Sequence, residues 1–265
     1  MVKFTPRVRP PNIEEQMKKL RVVVAKADAG TKRMFIDRMD LSWIYHDAAL
    51  EGVVLTQQEL LSALDPNVIP MPDSGMQAVY EEIRNHKKGI DLVRELAGKK
   101  RVQLSLELLR RLYVTLYPSE GDAESLKYRK ETPLHRLYFH EIAAPDKIAY
   151  KMRRFVEWLC EPDNRIPQQP LRFATRAHIE LAQIYPFTKG SGRLARLLMN
   201  FVLIRHDYVP AVIHATERHR YYESLRGPTQ TLQGLVLESM DNSIESAIKF
   251  FAEQSPPVPL RSIEF

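Results

Sequence analysis

The stretch Ile184-Tyr185-Pro186-Phe187-Thr188-Lys189-Gly190-Ser191-Gly192-Arg193-Leu194-Ala195-Arg196 interrupts a helical pattern and restarts it within a few residues. Before it, Phe173, Ala177, Leu181 and Ile184 fall at helical spacing; after it, Leu194, Leu197, Leu198 and Phe201 do the same. Pro186 cannot continue the first helix, because it lacks an N–H and its ring clashes with the preceding turn. Gly190 and Gly192 are two of only ten glycines in 265 residues. Glycine permits positive φ and close approach of backbone to a ligand. Two helices must therefore meet at a tight loop, the second opening on Gly-Ser-Gly. The N–H groups and dipole of that second helix point into the loop. Arg193 and Arg196, three apart, share one helix face. Their planar forks match phosphate oxygens. Together these features predict a cradle for phosphates, the alternative being a plain helix-turn-helix corner with surface arginines.

The rest of the chain also predicts helices. Asn12-Ile13-Glu14-Glu15 is a capping-box start for a first helix running to about Ala29-Gly30. Phe35, Met39, Trp43, Ala49 and Leu50 space a second helix that ends near Glu51, with Gly52 as its stop. Thr56-Gln57-Gln58-Glu59 is a capping box before Leu60-Leu61. Asp65–Ser74 and Glu161–Pro170 are rich in proline and predict loops. Helices are expected over Gln77–Ala97, over Leu104–Leu116 with a stripe at Leu104, Leu108, Leu112 and Leu116, over Ile148–Cys160, and near Asn242–Ala252. Tyr128–Pro145 lacks helical periodicity and has Pro133 at a turn, which fits a hairpin. Ser255–Phe265 is a proline-rich peripheral tail.

Composition narrows the function classes. One cysteine, Cys160, excludes a disulfide framework and fits a reducing compartment. No apolar run reaches transmembrane length, and the N-terminus has no secretory core, so a cytoplasmic location without membrane contact is expected. The formal charge is +6. Its basic residues are dispersed in pairs such as Lys18-Lys19, Arg110-Arg111 and Arg153-Arg154, with no nucleic-acid motif, so nucleic acid is not the expected partner. No Cys/His cluster has zinc spacing, and no Walker or Rossmann fingerprint is present.

The sequence resembles the Fic family, whose motif reads HPFxDGNGRxxR. This chain has YPFTKGSGRLAR at Tyr185–Arg196. Leu197-Leu198-Met199-Asn200, His219–Leu225 and Tyr128–Met152 are similar to further family segments, and the likeness runs from about Asp40 to Gly227. The resemblance implies an all-α fold with a small β-hairpin flap, and transfer of AMP from a nucleotide to a protein hydroxyl. It implies that position 185 holds the general base and position 189 an acid that ligates magnesium. Ser191 and Arg193 would contact phosphates, and Arg196 the γ-phosphate. Family members that are autoinhibited cover the second arginine with a glutamate from [S/T]xxxE[G/N]. Asp47-Ala48-Ala49-Leu50-Glu51-Gly52 matches that at Glu51 and Gly52 but not at Asp47.

Three departures alter the expected chemistry. Tyr185 replaces the base, and an unperturbed phenol, with a pKa of about 10, accepts a proton poorly at neutral pH. Lys189 has no lone pair to ligate a metal, so no metal site is carried over. It can place one positive charge near the α and β phosphates instead. Ser191 keeps one donor, with a shorter reach than asparagine.

The expectation is a nucleotide-binding protein (ATP or similar) with weak, altered or lost adenylyl transfer. Lys189, Gly190, Ser191, Gly192, Arg193 and Arg196 form its pocket, and Glu51 is an inhibitory group or an alternative base. The rivals are an active enzyme of unusual chemistry, metal-independent nucleotidyl or phosphoryl transfer or hydrolysis, and a non-catalytic interaction module. The expected organisation is a helical arm at 1–34, a Fic-like domain at 35–240 and a C-terminal helix with tail at 241–265. Within the domain lie an inhibitory segment at 47–52, a flap at 128–145 and the motif loop at 185–196. A protein target would dock along the flap by strand addition. The resemblance also makes a homo-oligomer an option.

Overall fold

The computed structural model describes residues 12–70, 75–99, 101–133, 140–161 and 169–254. They form α1 (Ile13–Lys26), α2 (Ala29–Leu50), α3 (Gln57–Leu64), α4 (Met76–Ala97), α5 (Leu106–Leu116), α6 (Ile148–Cys160), α7 (Pro170–Ile184), α8 (Ser191–Arg205), α9 (Arg218–Ser224) and α10 (Thr229–Gln254). No strand occurs among the described residues, so the class is all-α.

Helix starts follow their caps. Asn12, Asp28, Thr56 and Ser105 each accept a first-turn N–H with a side-chain oxygen. At Thr56 the box closes both ways: its hydroxyl accepts from Glu59 N at 3.1 Å, and its own N–H donates to Glu59 Oε2 at 2.6 Å. Two boundaries differ from expectation. The first helix stops at Lys26, because Asp28 starts α2 by bonding Thr31 N at 2.9 Å. The last helix begins at Thr229 rather than near Asn242. Its stripe of Leu232, Leu235, Val236 and Met240 is buried although Gly234 interrupts it. α10 therefore runs unbroken through residues 240 and 241.

α8 is the centre of the molecule. It packs against α7, α4 and α5, while α10 packs on α7, α1 and α2. Leu194, Ala195, Leu197, Leu198, Met199, Phe201 and Leu203 are all fully buried, which leaves α8 no solvent-facing side there. Each such leucine or phenylalanine contributes roughly 1.5–3 kcal/mol relative to exposure. The loop at the N-terminus of α8 thus stands on a helix buried in the core. α1 buries Ile13, Met17 and Leu20 against the body. Its Arg21 donates to Asp207 O at 3.4 Å.

The expected hairpin over 128–145 is not seen. Residues 134–139 lie outside the described residues, and the flanks carry no strand. Backbone bonds tie those flanks to the end of α7 and the loop after it, and the Arg129 side chain joins one flank to the other at Ala143 O. Arg129 N donates to Pro186 O at 3.0 Å and Ala143 N to Gln183 O at 2.9 Å. The tail 255–265 also lies outside the described residues. Among the described residues, no helix is long and apolar enough to cross a membrane.

Candidate functional site

α7 ends at Tyr185, which adopts a left-handed conformation with φ 49° and donates its N–H to Leu181 O at 2.9 Å. That reversal points the chain into Pro186 and the loop. Phe187 anchors the loop by stacking on Tyr113, with ring centroids 3.8 Å apart. Tyr113 also donates its hydroxyl to Lys189 O at 3.2 Å. Gly190 then takes φ 68° before α8 starts. A Cβ there would sit 2.0 Å from Tyr117 Cε2, so glycine is required both by its φ and by the ring lying against it. The first turn of α8 has no i−4 carbonyl for its N–H groups, the usual basis of an anion cradle. Ser191 is fully buried. Its hydroxyl accepts from Phe187 N at 3.0 Å and donates to Phe187 O at 2.9 Å. In this arrangement the hydroxyl braces the loop from inside, and the backbone supplies the loop's donors.

Arg193 and Arg196 are both 3 % exposed. Arg196 donates Nη2 to Glu51 Oε1 at 2.5 Å, Nη1 to the Tyr221 hydroxyl at 3.1 Å, and Nε to Asp47 Oδ1. Glu51 occupies the C-terminal end of α2, where Gly52, at φ 90°, turns the chain away. A Cβ on Gly192 would lie 2.9 Å from Glu51 Oε1. The glutamate therefore sits directly over the loop. Arg193 donates Nη1 to the Tyr117 hydroxyl at 3.1 Å and pairs Nη2 with Glu82 Oε1 at 2.8 Å.

Asp47 lies behind both arginines. Besides Arg196, its second oxygen is 3.1 Å from His86 Nε2 and 3.8 Å from Arg193 Nε. Neither of those contacts is aligned as a hydrogen bond. Burial would raise the Asp47 pKa, but Arg196, then His86 and Arg193, outweigh it and hold the carboxyl well below its ordinary range. Burial likewise works against the charge on Arg193 and is overcome by Tyr117, Asp47, Glu82 and Glu51. Burial pushes the Tyr117 hydroxyl up to about 12 despite Arg193, so it stays a neutral phenol.

Lys189 faces solvent, with its side chain 53 % exposed, and pairs with Glu120 Oε1 at 3.1 Å. Its ammonium is 5.3 Å from the Tyr117 ring centroid. Magnesium does not fit this position: an ammonium offers no lone pair, and the neighbouring carboxylate is engaged by it.

His178, seven residues before Tyr185 on α7, is packed in the core. Its Nε2 lies 3.0 Å from the Tyr221 hydroxyl. Burial, assisted by the charges of Arg196 and His140, pushes its pKa down to about 3. The unfolded chain would take a proton there near pH 6.5, so below that pH the unfolded state binds more protons and stability falls with acid. Urea unfolding is expected to show about 2 kcal/mol less stability at pH 5 than at pH 7 from this residue alone. In His178→Gln, which cannot titrate, the same pH change should cost less by that amount. Equal losses in the two proteins would contradict a neutral buried His178.

Several residues of the site carry no local sequence signal. Glu82 and His86 arrive from α4, Tyr117 from the end of α5, and Glu120 from the turn after it. Arg129 is 5 % exposed. It donates Nε to Tyr185 O at 2.7 Å and Nη1 to Glu131 O at 2.9 Å, and also bonds Ala143 O. It staples both flanks of the 134–139 segment to the motif loop.

The family model of the Fic/DOC family matches residues 103–203, from the approach to α5 into α8. A "Protein adenylyltransferase Fic" of Culex quinquefasciatus is 28 % identical over 255 residues, covering 89 % of this chain and 47 % of the relative. One of Nematostella vectensis is 29 % identical over 182 residues, covering 69 % and 42 %. One of Drosophila virilis is 31 % identical over 194 residues, covering 69 % and 36 %. The chain thus spans less than half the length of these curated relatives. Among solved structures, a Fic domain containing signaling protein from Bacteroides thetaiotaomicron superposes with a TM-score of 0.78 at 22 % identity. That match covers 92 % of this chain and 98 % of the other. Fic-1 from C. elegans gives 0.71 at 21 % identity over 91 % and 74 %. These two establish likeness of fold.

Proposed function

The chain carries a Fic/DOC-family domain at residues 103–203, and from that premise we propose that it binds a nucleotide while its adenylyl transfer is weak, altered or lost. The carrying observation is the pair Arg193 and Arg196, buried and charged beneath a glycine loop, with Glu51 bonded to Arg196 at 2.5 Å. Two buried guanidinium forks suit phosphate oxygens, and Glu51 and Glu82, which now pair with them, are the partly exposed carboxylates that a phosphate can displace. The weakness of transfer rests on the residues at the chemistry. Tyr185 is a phenol where the family places a base, and Lys189 is a cation where it places a metal ligand.

In this reading the phosphates bind without a metal. Lys189 leaves Glu120 for them, which costs little because exposed ion pairs contribute only about 0–1 kcal/mol. Glu51 competes for Arg196 and acts as a brake. A protein substrate would approach along the flanks at Glu131 and Ala143, which Arg129 joins to the loop.

Calorimetric titration with ATP tests this, with magnesium or with chelator, on the unaltered protein and on Glu51→Gly. Binding that ignores the chelator and tightens about tenfold in Glu51→Gly is expected, the factor for 1.4 kcal/mol of released competition. An absolute magnesium requirement would remove the role given to Lys189. Silence in both proteins would remove the nucleotide.

A further inference from the structure

The cations at the loop are covered by acids that come from separate elements. Glu51 and Asp47 reach Arg196 from α2, and Glu120 reaches Lys189 from the turn after α5. Glu82 reaches Arg193 from α4. The resemblance that gives Glu51 its role says nothing of Glu82.

Arg193 is held at both terminal nitrogens. Nη2 meets Glu82 at 2.8 Å and Nη1 meets the Tyr117 hydroxyl at 3.1 Å. Those are the two terminal nitrogens that could grip a phosphate side by side. The third nitrogen, Nε, lies 3.8 Å from Asp47 and makes no hydrogen bond. The holders differ in kind. Tyr117 is packed against Gly190 and cannot leave without moving the loop. Glu82 is 43 % exposed on a buried partner that is 3 % exposed. A half-exposed carboxylate on a flexible stem can rotate into water at small cost, and a phosphate offers the guanidinium a stronger charge-assisted pair.

We propose that Glu82 is a second carboxylate gate on the phosphate site, covering Arg193 as Glu51 covers Arg196. This rests on the reading of the loop as a nucleotide site. The two gates act on different arginines, and the resemblance assigns the γ-phosphate to Arg196 but only a phosphate contact to Arg193. On this proposal Glu82 sets affinity for any nucleotide whose phosphates reach Arg193, and Glu51 sets the preference between a triphosphate and a diphosphate.

The test is metal-free calorimetry with ATP and with ADP on four proteins: unaltered, Glu51→Gly, Glu82→Gln and the double variant, each first shown by a cooperative thermal melt to be folded at the working temperature. Glu82→Gln is expected to tighten ATP and ADP by a similar factor, roughly fivefold. Glu51→Gly should tighten ATP more than ADP, and the factors should multiply in the double variant. If Glu51→Gly tightens ATP while Glu82→Gln changes nothing or weakens binding, the second gate is wrong and the nucleotide reading stands. If no nucleotide binds any of the four, both fall together.

Discussion

Replacing Asp47 by alanine is expected to destabilise the protein by about 3–5 kcal/mol, a fall of roughly 10 °C in melting temperature. The residue is 3 % exposed and takes the Nε of Arg196, itself 3 % exposed. Removing one partner of a buried pair leaves the other charge desolvated without compensation, which costs more than the pair was ever worth. Arg193 and His86 lose their nearest buried carboxylate in the same step. Glu51→Gly should be far milder, about 1 kcal/mol, because its side chain is partly exposed and Arg196 keeps Asp47 and Tyr221. Thermal melts of the two variants separate a structural anchor from a gate. A cost for Glu51→Gly equal to or above that for Asp47→Ala would reverse these roles.

That division was only half visible in the sequence. Glu51 stood out because Gly52 marks a helix end beside a recognisable pattern, and both signals are local. Asp47 registered only as a mismatch at the first position of that pattern, since nothing nearby indicates that it lies against α8. The loop itself was legible for the same reason as Glu51. Pro186, Gly190, Arg193 and Arg196 act through chain geometry over a few residues. Glu82, Tyr117, Glu120 and Tyr221 could not be found that way, because their approach depends on how α4, α5 and α9 are set against α8 and its loop. Lys189 shows the limit most plainly. Its chemistry excludes metal ligation from sequence alone, yet its partner Glu120 comes from an element whose position no spacing rule supplies. Helix existence was readable from apolar periodicity. Periodicity does not reveal the α1–α2 break or the full length of α10, where a single cap at Asp28 and an interrupted stripe around Gly234 decide the outcome.

Tyr185→His combined with Lys189→Asp, in a Glu51→Gly background, is expected to raise AMP transfer by about 10²–10⁴-fold over the background alone, the usual worth of a positioned general base. The backbone favours the exchange at 185. Its φ of 49° and ψ of 63° lie in the left-handed region, where histidine is enriched among non-glycine residues. The Arg129 guanidinium is 6.0 Å from the ring centroid at that position. A cation there favours the neutral imidazole, the form that accepts a proton. Position 189 is equally well held, because Tyr113 bonds its carbonyl independently of the side chain. A carboxylate there would face Glu120, and two acids in contact repel unless a divalent cation lies between them. Transfer by the combined variant should therefore require magnesium and stop with chelator, whereas nucleotide binding by the unaltered protein should not. The measurement is incorporation of labelled AMP from ATP into protein, with and without magnesium, alongside ATP affinity for each variant. A combined variant that binds ATP yet transfers no faster than its background would show that the base and metal positions are not what limits this site. Transfer by the unaltered protein at the rate of the combined variant would overturn the reading that Tyr185 and Lys189 weaken it.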